Sequence, residues 1–139
     1  IIGYDTAPSA IRKANINIES ANLEEYITVD RKNFFKTTKP TDNHLHIVFN
    51  PPYGERLDRR DLDSGFDVEA FYSDIGDTLK QEYPGTDAWF ITSNLEALKY
   101  VGPRPSRKIK VFNSHLESRL VKYVMYKGSK KAKKNLQKE

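Results

Sequence analysis

Four consecutive residues, Asn50-Pro51-Pro52-Tyr53, carry the most specific chemistry in this sequence. The amino group on an aromatic base is a poor nucleophile, because its lone pair is delocalised into the ring. Two hydrogen-bond acceptors aimed at its two hydrogens localise that lone pair. The side-chain oxygen of Asn50 is one such acceptor, and the backbone carbonyl of Pro51 is a candidate for the second. The rings of Pro51 and Pro52 restrict the local backbone, so acceptors in this segment are set in place before any reaction. Tyr53 offers an aromatic face for stacking an extruded base, worth roughly 1–3 kcal/mol. The bland reading is a proline-rich turn with a surface tyrosine. Position argues against it, because the four residues directly follow His46-Ile47-Val48-Phe49, a run that reads as a buried strand. Two prolines cannot continue a central strand, so the chain must turn at its carboxyl end.

The surrounding elements are expected to position this turn. Ile1 to Asp5 reads as a short buried strand ending in an acid. Thr6 to Pro8 offers a helix start, with a hydroxyl cap candidate and a proline in the first turn. Ile11, Ala14, Ile18 and Ala21 then share one helical face. Tyr26 to Val29 reads as the next strand, leading to Asn33-Phe34-Phe35, and a polar segment with Pro40 follows as a loop. Asp67 is a cap candidate for a helix with Val68, Phe71, Ile75 and Leu79 on one face, stopped by Pro84-Gly85. Ala88 to Thr92 is a strand in which Trp89 is most simply core, Asn94 to Tyr100 a short helix, and Ile109 to Phe112 and Leu120 to Tyr126 two strands joined around Asn113-Ser114. This alternation predicts an α/β fold: a Rossmann-like, mostly parallel sheet with helices on both faces and an antiparallel C-terminal strand pair. Ligands in such folds bind at the carboxyl ends of the strands, where Asp5, Asn33, Asn50 and Asn94 are all expected.

Composition narrows the class further. The chain has 139 residues, enough for one domain, and 37% are hydrophobic, enough for a core. Absence of cysteine excludes disulfides and thiolate metal sites, and fits a cytoplasmic protein. No apolar run approaches membrane-spanning length and no signal peptide opens the sequence, so no membrane partner is expected. The net charge of +4 is unevenly distributed. Residues 127–139 hold six lysines and Glu139, a net of +5, which leaves −1 on residues 1–126. The expected organisation is therefore a catalytic domain over 1–126 and a disordered basic tail over 127–139, suited at most to a nucleic-acid backbone.

The motifs together resemble the THUMP-associated ribosomal RNA guanine-N2 methyltransferases, a branch of the class I methyltransferases. The resemblance rests on Gly3-Tyr4-Asp5, on Asn50 through Leu57, and on Trp89 through Asn94. It continues through Ser106-Arg107-Lys108-Ile109, Phe112-Asn113 and Leu116 through Leu120. It implies S-adenosylmethionine as cofactor and large-subunit ribosomal RNA as partner, with an upstream THUMP domain. By the same resemblance Asp5 accepts from the cofactor ribose hydroxyls, and Asn33 and Phe34 flank its adenine. Asn50 lies between cofactor and substrate. Asn33 stands where the family usually has Asp, so it accepts without charge assistance; Asp30 is a nearby alternative or a turn residue. Tyr53, Arg56 and Arg107 are the substrate-binding candidates, although each arginine is more often an ordinary surface ion-pair residue.

The family opens with a strand and a Gly-rich loop, and no Gly-x-Gly occurs here. The sequence is thus expected to be a fragment truncated at its N-terminus, binding S-adenosylmethionine weakly or not at all and inactive alone. Its absent strand would lie between those ending at Asp5 and Phe49. No metal is expected: His44 and His46 would share one strand face, but a zinc site needs further ligands and the sequence shows none. Other readings stay open. The Asn-Pro-Pro-Tyr turn serves adenine-N6 and protein glutamine-N5 amines equally well, and the fold also suits a non-catalytic RNA-binding module.

Overall fold

The computed structural model describes residues 1–52 and 65–128. Tyr53, Arg56 and the lysine tail beyond Gly128 lie outside the described residues. The chain forms two compact units, Ile1–Thr38 and the part from Lys39 onward. Among the described residues the strands form two sheets, a two-stranded one and a four-stranded one.

In the first unit, β1 (Ile2–Asp5) leads to α1 (Pro8–Ser20) and returns as β2 (Thr28–Arg31), parallel to β1. Pro8 occupies the first turn of α1, where its missing N–H costs nothing. The hydroxyl expected to cap this helix does not do so. Ala7 is the N-cap and has no side-chain cap bond; Asp5 Oδ1 instead accepts from the Ala7 N–H at 2.8 Å. A 3-10 turn, Phe34–Lys36, follows β2.

The second unit is a four-stranded sheet, β3 (Leu45–Phe49), β4 (Thr86–Thr92), β5 (Arg107–Asn113) and β6 (Leu116–Met125), in the order β3-β4-β6-β5. β3 and β4 are parallel, while β6 runs antiparallel to both β4 and β5. The C-terminal pair is thus the antiparallel hairpin that its short connection requires. Its loop, Ser114-His115, places Ser114 at φ 59. Between β3 and β4 lies α2 (Val68–Glu82), whose N-cap Asp67 accepts from the N–H groups of Glu69 and Ala70.

Burial is one-sided. Ala88, Phe90 and Thr92 of β4 are fully buried, as are Val121 and Tyr123 of β6 and Tyr72 and Leu79 of α2. The buried stripe of α2 is Tyr72, Ile75, Gly76 and Leu79, rather than one containing Phe71. Both series fit helical spacing with Val68 and Ile75, so sequence periodicity could not separate neighbours. Gly76 is where the helix meets the 3-10 turn Ala97–Val101. A Cβ there would stand 1.8 Å from the Val101 carbonyl oxygen. Gly76→Ala is therefore expected to cost about 1–3 kcal/mol by overpacking, read as a lower urea midpoint.

Tyr123 is buried to 0% exposure, and its Oη has no hydrogen-bond partner among the described residues. Burial, with a smaller contribution from Tyr72, pushes its phenol up to about 12. The unfolded chain ionises this group near the ordinary value of about 10. A folded-state pKa above the unfolded one contributes stability that is complete below about pH 10 and lost as pH rises through about 12. Tyr123→Phe should flatten that alkaline loss and change neutral stability little, as followed by circular dichroism across this window.

Candidate active site

The carboxyl end of β3 delivers the chain directly into Asn50. Phe49, the last strand residue, stacks on Phe90 at 4.9 Å, and Phe90 is its register partner on β4. The turn therefore starts from an anchored aromatic. Asn50 is exposed, Pro51 is buried and Pro52 is exposed again.

One residue that sequence reasoning missed supports this turn. Tyr72 of α2 is fully buried, and its Oη lies 2.7 Å from Thr92 Oγ1 and 3.5 Å from the Pro52 carbonyl oxygen. The first is a strong hydroxyl pair and the second is long for a hydrogen bond. Thr92 Oγ1 also accepts from the Asn94 N–H at 3.0 Å, and Asn94 Oδ1 accepts from the Ala97 N–H at 3.0 Å. A chain of polar contacts thus runs from the proline turn, through α2, to the end of β4 and the start of the next helical turn. The available signal was a tyrosine at the helical spacing of Val68, Ile75 and Leu79, which reads as plain core until its hydroxyl is placed.

In the first unit, Asp5 and Asn33 lie at the same strand edge. Asp5 ends β1, its carbonyl accepts from the Lys32 N–H at 3.0 Å, and Asn33 is the next residue. Arg31 Nε donates to the Thr6 carbonyl at 3.0 Å, binding the end of β2 to the segment after β1. Asn33 Oδ1 accepts from the Phe35 N–H at 3.0 Å and so caps the 3-10 turn, with Phe34 half-buried beside it. Asp30 is not a turn residue. It sits inside β2 opposite Tyr4, with its carboxylate 3.7 Å from Lys32 Nζ.

The remaining candidates separate. Arg107 opens β5 opposite Lys122, three strands from β3, roughly 14 Å away at the usual inter-strand spacing. Trp89, expected in the core, is only half-buried. It belongs to the sheet face turned away from α2, where Lys122 Nζ stands 5.4 Å from its ring centre. Among the described residues no helix is long and apolar enough to cross a membrane.

Strand order, the parallel β3–β4 pair feeding an Asn-Pro-Pro turn, and the antiparallel C-terminal hairpin define a Rossmann-like class I methyltransferase fold. The solved structures agree. An RNA methyltransferase from Salinibacter ruber, in complex with S-adenosyl-L-homocysteine, superposes with a TM-score of 0.60 at 10% identity, over 92% of this chain and 67% of that one. A predicted N6-adenine-specific DNA methylase from Listeria monocytogenes gives a TM-score of 0.71 at 27% identity, over 90% and 30%. Residues 1–122 match the family model described as RMKL-like, methyltransferase domain, and the chain belongs to that family. Among its relatives is the ribosomal RNA large subunit methyltransferase K/L of Cellvibrio japonicus, 36% identical over 126 residues. The match covers 88% of this chain and 16% of that relative, so the chain spans about a sixth of its length.

Proposed function

We propose that this chain forms part of the catalytic domain of an enzyme that methylates the exocyclic N2 amine of guanine in large-subunit ribosomal RNA. The observation that carries the amino-group part of this reading is the setting of Asn50, and the choice of guanine follows the resemblance over Ser106 to Leu120. An exposed amide follows the anchored end of β3, Pro51 behind it is buried, and the Pro52 carbonyl lies 3.5 Å from the hydroxyl of buried Tyr72, which pairs with Thr92. An acceptor held in this way can take a hydrogen bond from an amino group without reorganising during the reaction. The Pro51 carbonyl is the proposed second acceptor, and Tyr53 the proposed stacking surface.

S-adenosylmethionine, when bound, supplies a methyl group made electrophilic by its sulfonium. The donor set at the β1–β2 edge suits the rest of that molecule. Asp5 keeps acceptor capacity for ribose hydroxyls beyond its bond to the Ala7 N–H, since a carboxylate has about four lone-pair sites. The Asn33 oxygen retains one lone pair for an adenine amino group, and Phe34 offers an apolar neighbour. No strong general base is required, because positioning the amine against the methyl supplies most of the rate. The large-subunit RNA target follows the Cellvibrio relative's name, and Arg56 and Arg107 are proposed for phosphate. A second reading, adenine-N6 methylation, draws support from the Listeria neighbour.

The deciding experiment is methyl transfer by the full-length protein from labelled S-adenosylmethionine to unmodified large-subunit ribosomal RNA, digested to nucleosides. Label in N2-methylguanosine supports the proposal. Label in N6-methyladenosine keeps the Asn50 mechanism and replaces the substrate. RNA without label overturns both.

A further inference from the structure

The pair His44 and His46 was left in the sequence without a third metal ligand, and the fold supplies one. We propose that His44, His46 and Asp87 bind a divalent transition-metal ion of the zinc class on the sheet face opposite α2. His46 lies in β3 and His44 immediately precedes the strand, and the two rings meet on one side, 5.0 Å apart. Both are exposed there. Asp87 is the register partner of His46 on the neighbouring strand, so its carboxylate emerges on the same face.

One ligand atom from each of the three residues lies within 4.8 Å of the others. His44 Nε2 stands 3.5 Å from Asp87 Oδ2, and the two imidazole rings meet edge to face at 5.0 Å. Bonds of about 2.0–2.1 Å in a tetrahedral site place ligand atoms about 3.4 Å apart. Closing the present arrangement therefore takes movements of about an ångström or somewhat more. Small rotations of two exposed imidazoles provide this without disturbing the core, while Asp87, largely buried, serves as the fixed member. Two histidines and a carboxylate form a recognised zinc ligand set that leaves a further coordination position for water.

The competing cation is Lys122, whose Nζ lies 2.7 Å from the same Asp87 oxygen. A metal ion must share the carboxylate with this ammonium or displace it. The Trp89 ring already faces Lys122 Nζ and can retain it after displacement. Bound metal cross-links β3 to β4 at the end opposite Asn50, so the site stands independently of the proposed methyl transfer.

The test is isothermal titration of Zn²⁺ into the metal-stripped full chain, prepared without an affinity tag. One saturable site per chain is expected. His44→Ala and His46→Ala should each weaken it by at least about tenfold. His115→Ala, which changes the one other histidine in the sequence, should leave it unaltered. Lys122→Met should tighten binding by removing the competitor. Absence of saturable binding, or binding that survives the His44→Ala/His46→Ala double change, overturns the site. Affinity unchanged in Asp87→Asn, with its circular dichroism intact, shows that Asp87 is not a ligand and also overturns it.

Discussion

Asn50→Ala in the full-length protein is expected to lower kcat for methyl transfer on the order of a hundredfold, about 3 kcal/mol of barrier. Alanine removes an acceptor that the turn holds ready, and water at the vacated position is not preorganised. The side chain is exposed and follows the strand rather than lying in the core, so folding should be nearly unaffected. The change should fall on kcat more than on KM, because the localised lone pair matters at the moment of methyl transfer. Single-turnover transfer, measured beside a urea midpoint, separates the two effects. Near-normal turnover with a stable variant would remove Asn50 from the mechanism and leave the turn a structural feature.

Phe90→Ala should cost about 3–5 kcal/mol of stability, the largest folding effect of any substitution considered. Phe90 is fully buried and meets an aromatic ring from each surrounding element. It stacks on Phe49 of β3 at 4.9 Å and on Tyr123 of β6 at 5.4 Å, and meets Tyr72 of α2 edge-on at 6.1 Å. Truncation leaves a cavity bordered by three large rings on three different elements, which cannot all collapse into it at once. Two of those neighbours, Phe49 and Tyr72, also support the Asn50 turn, so catalysis should fall alongside stability. Urea denaturation reads the first effect. If the midpoint barely moves, this aromatic cluster does not hold the second unit together.

Several elements are legible in the sequence alone. Alternating strand and helix patterns gave the order of elements, and the short link at Asn113-Ser114 implied the antiparallel hairpin that β5 and β6 form. The turn at Asn50 was legible because prolines terminate strands by a local rule that needs no partner. Local rules failed where two neighbours satisfied the same spacing. Phe71 and Tyr72 fit the α2 stripe about equally, and only packing against β4 placed Tyr72 inside and carried its hydroxyl to Thr92. Trp89 failed for a related reason. Strand alternation assigns it a face, but only the position of α2 decides which face is the deep one.

The sequence by itself determined what depends on covalent order: the Asn-Pro-Pro turn, the placement of Asp5 after a strand, the helix starts at Pro8 and Asp67, and the uneven charge. The tertiary structure decided what depends on pairing between segments far apart in the chain. Register alone brings Asp87 across from His46, and burial alone sets the phenol of Tyr123 apart from an ordinary one. Such pairings follow from hydrophobic burial and hydrogen bonding summed over whole elements, so no short stretch of sequence contains them.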